Sequence, residues 1–224
     1  MSTNFSLEKA EPYYEQIYQT IKKLIFEGAY KPGERIFEAK IAKEFNVSRS
    51  PVREAVRAIE KEGLLVLNDK QQLEVYKPSL QDVKEIYSCR GGLESLAVKL
   101  ATERATDQNI EELKSILDHT LDAVKKTTIN KEEVVICNTR FHDTILMLSG
   151  NKRLQKMLKE LSALNYIYRV LNIDTVERMY TIYEEHLGIF IAMKERDITK
   201  AVKQMYGHIT HDLEHLIGVL EERG

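Results

Sequence analysis

The sequence FNVSRSPVREA, residues 45–55, joins a tight connection to the start of a helix. Ser48 is a good N-cap residue, and Pro51 falls in the first helical turn, where the missing N–H of a proline costs little. The predicted helix runs to Glu62, and Gly63 is its stop signal. This stretch therefore predicts a capped helix that follows directly on a short turn.

Arginines occupy one face of this helix. Arg49, Arg53 and Arg57 are spaced four residues apart, so they lie on the same side. The opposite face is apolar and is expected to pack inward; it consists of Val52, Val56 and Ile59. Because arginine is well suited to a bidentate contact with guanine, the basic face favours DNA contact. The alternative is a solvated helix whose arginines pair with Glu54 and Glu60.

The flanking segments complete a winged helix-turn-helix pattern. An amphipathic helix is predicted over residues 12–27 and a short second helix over 38–45. After the capped helix, residues 64–67 and 73–76 are predicted as two short strands joined by the polar stretch 68–72. In such a motif the second helix enters the major groove with its N-terminal residues at the base edges. The residues in that place are Ser48, Arg49, Ser50 and Arg53.

The composition changes near Pro78. All four prolines lie at or before this residue, and all six histidines lie after it. We therefore expect two domains, residues 1–78 and 79–224. The 33 basic and 35 acidic residues give a net charge of −2, which excludes a generally basic nucleic-acid coat but not a local DNA-reading patch.

The second domain has helical periodicity throughout and no proline, which predicts an all-α bundle within a mainly α protein. Asp107 and Asp174 are expected to be N-caps, and Gly150 is expected to mark a break. The predicted helices span about residues 80–104, 107–127, 130–149, 151–172, 174–195 and 197–221.

Several classes of protein are disfavoured by what the sequence lacks. No apolar run approaches the roughly 18–20 residues of a membrane helix, and the first residues show no signal-peptide pattern. Cys89 and Cys137 alone do not make a disulfide scaffold, so a reducing, cytoplasmic setting is expected. There is no HExxH motif, nucleophile elbow or phosphate-cradling glycine loop, so we expect no enzyme.

Histidines of the second domain are spaced as a candidate metal site. Asn138 and His142 are four residues apart on one predicted helix, and His186 and His208 lie on two later ones. Three imidazoles and an oxygen donor inside a bundle suit a transition metal, which in a hydrolase could activate water. The alternative is that these histidines are ordinary surface or core groups. Two further histidines are alternative ligands or exposed groups: His211 and His215.

Residues 14–78 resemble the winged helix-turn-helix of the GntR superfamily of bacterial regulators. The resemblance rests on the FNVSRSPVREA stretch and the Glu-Gly-Leu that follows at 62–64. It implies that two arginines contact bases or phosphates and that two serines contact phosphates; these are Arg49, Arg53, Ser48 and Ser50. The protein is thus expected to bind double-stranded DNA.

Two positions depart from the GntR pattern. Many relatives carry an arginine where this chain has Ala39, and the adjacent Lys40 is the expected substitute. Relatives often have glycine at the tip of the wing, where this chain has Gln71 and Gln72. Minor-groove contact by the wing is therefore not predicted.

The second domain resembles the FadR-type effector domain called FCD, through Asp82-Val83, Ile86-Tyr87, Arg90 and Leu93-Glu94. The resemblance implies a divalent zinc, nickel or manganese ion, held by three histidines and an acid. The corresponding residues are His142, His186, His208 and, in place of the usual aspartate, Asn138. An amide brings no negative charge, so a bound carboxylate is expected to complete the site.

The resemblance also assigns an effector-facing arginine to the first helix of this domain. Arg90 occupies that place and is expected, with Asn138, to contact a small carboxylate effector; the alternative for Arg90 is a buried pair with Glu94. The expected protein is a homodimeric, ligand-responsive repressor that reads a palindromic operator and has no membrane partner. The alternatives are a bundle that serves only dimerisation and, less favoured, a metal-dependent hydrolase.

Overall fold

The computed structural model describes residues 12–223 and divides the chain into two compact units that meet between Lys77 and Pro78. Within the described residues the fold is mainly α, as the sequence predicts. None of the helices there is long and apolar enough to cross a membrane. The expectation about a signal peptide concerns the N-terminal residues, of which 1–11 lie outside the described part.

The first unit is three helices followed by an antiparallel hairpin, which confirms the winged helix-turn-helix prediction. Its elements are α1 (Tyr13–Phe26), α2 (Glu38–Glu44), α3 (Arg49–Lys61), β1 (Leu65–Leu67) and β2 (Leu73–Val75). Ile17 and Ile21 of α1 are buried, as are Val52 and Ile59 of α3. Because α1 packs against α3, these apolar faces form the core that holds α3 in place.

A third segment of chain borders the hairpin. Arg35 forms an antiparallel bridge with Glu74 of β2, and the Ile36 N–H donates to the Leu73 carbonyl at 2.9 Å. The sequence analysis missed this pairing because the few residues before α2 are too short to show a strand pattern. The wing is thereby anchored to the segment that leads into the DNA-reading motif.

The second unit is all helical within its described residues. It comprises α4 (Leu80–Arg104), α5 (Asp107–Lys125), α6 (Lys131–Leu148), α7 (Lys152–Glu160), α8 (Ser162–Asn172), α9 (Val176–Lys194) and α10 (Ile198–Arg223). Gly150, with φ +62°, lies in the break between α6 and α7, where the sequence predicts one.

The predicted single helix over residues 151–172 is wrong, because the chain forms two helices that meet at Leu161. The Leu161 N–H donates to the Leu158 carbonyl at 3.1 Å, a tighter pattern than that of an α-helix. The Ser162 hydroxyl donates to the Lys159 carbonyl at 2.7 Å, so a side chain satisfies a carbonyl near the end of α7. No proline or glycine lies here to signal the kink.

Two predicted helix caps are wrong by one residue. Thr106, rather than Asp107, caps α5, and it exchanges hydrogen bonds with Asn109 in a capping box. Thr175, rather than Asp174, caps α9, where its hydroxyl accepts a backbone N–H three residues on at 3.1 Å. In each pair a threonine adjoins the aspartate and both types are favoured at N-caps, so residue preference alone does not decide between them.

Four helices surround a polar interior in the second unit. Helix α4 packs against α6, α9 and α10, and α9 packs against α10. Their buried polar and charged residues include Arg90, Glu94, Asn138, His142, His186, His208 and Asp212. Charged groups are rarely buried unless they are paired or bind a ligand. This interior is therefore a candidate ligand-binding site.

Candidate functional sites

The start of α3 exposes polar side chains. Ser48, Arg49, Ser50 and Arg53 are all exposed, while the opposite face of the helix is buried in the first unit. Ser48 takes the N-cap position of α3, as the sequence predicts, but its side chain accepts no hydrogen bond from the helix. The hydroxyl is therefore not engaged by the helix end, and it lies beside the arginines on the exposed surface.

The turn between α2 and α3 is held by backbone geometry. Asn46 has φ +53°, a left-handed conformation that asparagine tolerates better than most residues. The Val47 N–H donates to the Ala42 carbonyl at 3.0 Å and closes the turn. This geometry fixes the direction in which α3 leaves α2, and with it the direction of the arginine face.

The basic residues of this surface are weakly paired. Arg53 Nε lies 3.6 Å from Glu38 Oε2, and Lys40 Nζ lies 3.8 Å from Glu44 Oε1, with all four side chains at least one third exposed. Exposed pairs of this kind contribute little to stability. The alternative pairing of arginines with Glu54 and Glu60 is absent from the described ion pairs. The guanidinium of Arg53 is thus available to an anionic partner.

The wing tip has a non-glycine residue in a glycine-like conformation. Gln71 has φ +56°, and the Asn68 Oδ1 accepts the N–H groups of Lys70 and Gln72, each at 3.0 Å. The Asn68 side chain thus stabilises a turn conformation that glycine adopts more readily than other residues. Gln71 is exposed at this tip.

Three buried histidines converge in the second unit. His142 on α6, His186 on α9 and His208 on α10 bring their Nε2 atoms within 3.2 Å of one another in every pair. Three nitrogens at about 2.1 Å from one ion lie about 3.0 Å apart in octahedral geometry and about 3.4 Å apart in tetrahedral geometry. The observed spacing falls between these values, so the three atoms fit a single divalent ion.

Carboxylates on the far side of two rings set the histidine tautomers. His142 Nδ1 donates to Glu94 Oε2 at 2.5 Å, and His208 Nδ1 donates to Glu185 Oε2 at 2.8 Å. A neutral imidazole that donates through Nδ1 has only a lone pair at Nε2. The approach of the two Nε2 atoms therefore cannot be a hydrogen bond between two neutral rings. It is the arrangement expected of ligands oriented by outer carboxylates.

Asn138 adds a candidate oxygen donor. It lies one turn before His142 on α6 and is 2% exposed. Its Oδ1 is buried without a hydrogen-bond partner, which is a costly state for an amide oxygen. An ion held by the histidines would give this acceptor a partner, so the residue suits a ligand role.

Burial favours the neutral form of two histidines in the cluster. Burial lowers the pKa of His142 to about 4, although Glu94 opposes the shift. Burial, and then the neighbouring His208, lower the pKa of His186. Burial alone would raise the pKa of Glu94, but Arg90 and His142 hold it well below its usual range. The rings of His142 and His186 are therefore unprotonated, and able to bind a metal, near neutral pH.

Three carboxylates lie around the neutral candidate ligands, and their role was not predicted from the sequence. Glu94 was considered only as a partner for Arg90, and Glu185 and Asp212 were not considered. Asp212 Oδ1 pairs with Arg178 at 2.5 Å, and its Oδ2 lies 3.8 Å from His208 Nε2. The i, i+4 spacing of His208 and Asp212 was a usable signal for this residue.

Arg90 is fully buried and shares Glu94 with His142. Its Nε donates to Glu94 Oε1 at 2.8 Å, and its guanidinium carbon lies 4.6 Å from the centre of the Tyr87 ring. The Nη1 and Nη2 atoms of Arg90 have no hydrogen-bond partner among the described residues. The structure thus contains the buried pair considered as the alternative for this residue, and leaves its two terminal nitrogens unused.

A cavity of about 590 Å³ opens beside the cluster. Its lining includes Glu94, His142 and Arg169, with Lys156 and Lys159 also contributing. Arg90 is not part of this lining. Arg169 on α8 is 5% exposed, and sequence analysis missed it because an arginine in a helical segment is ordinarily a surface residue.

The two remaining C-terminal histidines lie outside the cluster. His211 Nδ1 contacts Glu185 Oε1 at 2.8 Å, and its side chain is 59% exposed. His215 Nε2 contacts Asp174 Oδ1 at 2.9 Å, with its side chain 31% exposed. Neither shares the close approach of the three buried rings, and His215, whose partner Asp174 does not contact the cluster histidines, suits a control substitution.

Comparison with protein families matches both units. Residues 13–75 match the model described as bacterial regulatory proteins, gntR family, and residues 85–211 match the FCD domain. These matches leave only the termini and the short segment between the units outside a family model.

Individual relatives named as regulators match this chain over nearly their whole length. The HTH-type transcriptional regulator YdhC of Bacillus subtilis (strain 168) is 40% identical, covering 98% of this chain and 97% of that protein. The HTH-type transcriptional repressor RspR of Escherichia coli (strain K12) is 23% identical, covering 99% of this chain and 96% of that protein. The solved structure of E. coli McbR/YncC has a TM-score of 0.75 at 23% identity, covering 93% of this chain and 99% of that one.

Proposed function

The chain belongs to the GntR family of bacterial regulatory proteins, with an FCD domain as its second unit, and on that basis we propose that it senses a small carboxylate through a metal ion in the second unit. It is a DNA-binding transcription regulator and not an enzyme.

The observation that carries the proposal is the triangle of histidine Nε2 atoms, each 3.2 Å from the other two. His142, His186 and His208 would hold zinc, nickel or manganese, and the unpartnered Oδ1 of Asn138 would serve as a further donor. When bound, the ion supplies a positive charge that a carboxylate can meet from the adjoining cavity. Because all four of these donors are neutral, they leave that charge to be balanced by groups around them and by the effector.

On the DNA side, the exposed start of α3 would face the operator. Arg49 and Arg53 would contact bases or phosphates, with support from the nearby Lys40, Ser48 and Ser50. We propose a homodimer that reads a palindromic operator, since a two-fold dimer presents two recognition helices to related half-sites. The relative RspR is named a repressor, and the same mode of action in the bacterial cytoplasm is proposed here.

Regulation requires the carboxylate to favour one arrangement of the DNA-binding units over another. A coupling of about 1–3 kcal/mol is typical of such control. In a repressor, the carboxylate would bind better to the form that has released DNA, and operator DNA would weaken carboxylate binding by the same factor.

The test starts with native mass spectrometry of the purified full-length protein, which gives the dimer mass and the metal mass together. Isothermal titration then compares six small acids on metal-loaded and chelated protein: propionate, butyrate, lactate, succinate, glutarate and malate. We expect one divalent ion per chain and carboxylate binding at least tenfold tighter to the metal-loaded form. A duplex selected from random DNA then reports whether the bound carboxylate releases the operator.

Two results would contradict the proposal. Full carboxylate affinity in the chelated protein would show that the ion plays no part in sensing. A metal-loaded dimer that binds none of the six acids and releases DNA with none would instead favour a bundle that serves only dimerisation.

A further inference from the structure

Arg169 is a buried cation that has no ion-pair partner within residues 12–223. Buried arginines elsewhere in the second unit are paired: Arg90 with Glu94 at 2.8 Å, and Arg178 with Asp212 at 2.5 Å. Arg169 forms no ion pair with any residue that the structure describes, and its Nε is buried without a hydrogen-bond partner. An uncompensated buried charge is costly, so such a group ordinarily marks a ligand site.

The surroundings of Arg169 increase its need for an anion. Burial, and then the neighbouring Arg90, lower the pKa of its guanidinium. Lys156 and Lys159 add positive charge to the lining of the same cavity. Glu94 and Asp143 oppose this pKa shift, but neither forms an ion pair with Arg169, and Glu94 is already bonded to Arg90 and His142.

The cavity is large enough for a ligand with two binding groups. Its volume of about 590 Å³ lies well within the range of small-molecule sites. His142 of the histidine cluster and Arg169 both line it, while Ile145, Leu158 and Met205 supply apolar wall. A ligand in this space would have one polar group at the cluster, a second at Arg169 and a short carbon chain between.

We propose that Arg169 forms a second anion subsite, so that the effector is a diacid with one carboxylate at the histidine cluster and another acidic group at Arg169. This inference rests on the proposed carboxylate-sensing function and narrows the class of effector. Arginine suits the role because its planar guanidinium can bind a carboxylate through two parallel hydrogen bonds. The site then discriminates against monoacids, which would leave the guanidinium buried and unpaired.

Matched pairs of acids test the second group directly. Isothermal titration into the metal-loaded protein compares succinate with propionate, glutarate with butyrate, and malate with lactate; the second acid of each pair lacks one carboxylate. In at least one pair we expect the diacid to bind at least tenfold more tightly. Arg169→Gln should reduce that preference to less than threefold while changing the monoacid affinity by less than threefold.

Two further variants separate the subsite from a general positive field. Arg169→Lys should retain part of the preference, because it keeps the charge but loses the paired donors. Lys156→Gln, on the exposed lining, should leave the preference nearly unchanged. Absence of a diacid preference in all three pairs, or an equal loss for both acids in Arg169→Gln, would overturn the proposal.

Melting temperatures distinguish a ligand subsite from a structural arginine. Arg169→Gln removes an unpaired buried charge, so the ligand-free variant should melt at the same temperature as the wild type or higher. A lower melting temperature would identify Arg169 as a structural residue and overturn the proposal.

A measurement without metal separates this proposal from the proposed function. Inorganic phosphate should raise the melting temperature of chelated wild-type protein but not of chelated Arg169→Gln. If metal or carboxylate binding fails while this phosphate effect is present, the sensing mechanism is wrong and the anion subsite stands. If phosphate stabilises both proteins equally, Arg169 is not the anion-binding group.

Discussion

The DNA-reading surface and the histidine cluster are built in opposite ways. The first lies on one short stretch of chain, residues 40–53, and its functional side chains are exposed. The second draws Asn138, His142, His186 and His208 from three helices and buries them all. Exposed groups can change without a folding cost, whereas buried polar groups affect stability and binding together. We therefore expect substitutions in the DNA-reading surface to change binding alone, and substitutions in the histidine cluster to change binding and stability together.

The largest effect is expected in the buried cluster. His142→Ala combined with His186→Ala should abolish metal binding, because two of three converging nitrogens are lost. Metal analysis of the purified variant should find no bound ion, while DNA binding without effector should persist because the first unit is untouched. His215→Ala, which removes a partly exposed histidine paired with Asp174, is the control and should keep full stoichiometry. Unchanged metal content in the double variant would place the ligands elsewhere.

The next effect concerns the exposed surface. Arg49→Ala and Arg53→Ala should each cost about 1–3 kcal/mol of operator affinity if they read bases. The melting temperature should hardly move, because both side chains are exposed and the pair of Arg53 with Glu38 is weak. Mobility-shift titration measures the affinity, and Lys61→Ala, an exposed basic residue at the far end of α3, is the control. Near-normal operator binding by a protein that carries both Arg49→Ala and Arg53→Ala would show that these arginines are not part of the interface.

The same contrast explains what the sequence could predict. The DNA-reading helix was predictable to within a residue, because its apolar period and the stop at Gly63 are local signals. The convergence of His142, His186 and His208 was one of two interpretations that the sequence left open until the family resemblance favoured it, because spacing along separate helices does not reveal how those helices pack. The outer carboxylate Glu185 and the cavity residue Arg169 were missed for the same reason: each gains its role only from residues distant in sequence.

Local competition also limited the prediction. Thr106 adjoins Asp107, and only the reciprocal hydrogen bonds with Asn109 select the threonine as the cap. At the break between α7 and α8, the Ser162 hydroxyl donates a hydrogen bond to the Lys159 carbonyl. The hydrophobic periodicity of the sequence does not predict this bond. Such choices between equally suitable neighbours are settled by geometry that a linear pattern does not contain.

A third prediction uses pH to separate the units. His142 has a pKa of about 4 in the fold against 6.5 in the unfolded chain, and that of His186 is also lowered by burial. The unfolded chain therefore binds more protons in this window, so the metal-free second unit should lose stability as the pH falls from about 6.5 towards 4. Hydrogen exchange read by mass spectrometry should show this loss in the second unit.

The first unit supplies the internal control for that measurement. Residues 1–77 contain no histidine, so exchange protection there should change little between pH 7 and pH 5 after correction for intrinsic rates. Added metal should protect the second unit at pH 7 and progressively less on acidification, since protons compete for the same nitrogens. Equal loss in both units would mean that the buried histidines do not govern the response.

A smaller change is expected at Asn138. If its Oδ1 is a metal ligand, Asn138→Asp adds a negative charge to the site and should tighten metal binding by about tenfold, or about 1.4 kcal/mol. The same charge should weaken an anionic effector, because it partly neutralises the ion before the carboxylate arrives. Titrating metal, and then lactate, into wild type and variant measures both. Movement of the two affinities in the same direction, or of neither, would remove Asn138 from the ligand set.

The smallest effect compares two N-cap serines, one whose side chain forms a hydrogen bond to its helix and one whose side chain does not. Ser48 and Ser79 both precede a helix, but only the Ser79 hydroxyl accepts a hydrogen bond, from the Asp82 N–H at 3.1 Å. Ser79→Ala should therefore cost about 1 kcal/mol of stability, as lost caps typically do, whereas Ser48→Ala should cost less than about 0.5 kcal/mol. In mobility-shift titration the order should reverse, with Ser48→Ala weakening operator binding modestly and Ser79→Ala leaving it unchanged. Equal stability losses in urea unfolding would mean that Ser48 caps α3 in solution, and its exposed hydroxyl would then be held by the helix end rather than available to a DNA phosphate.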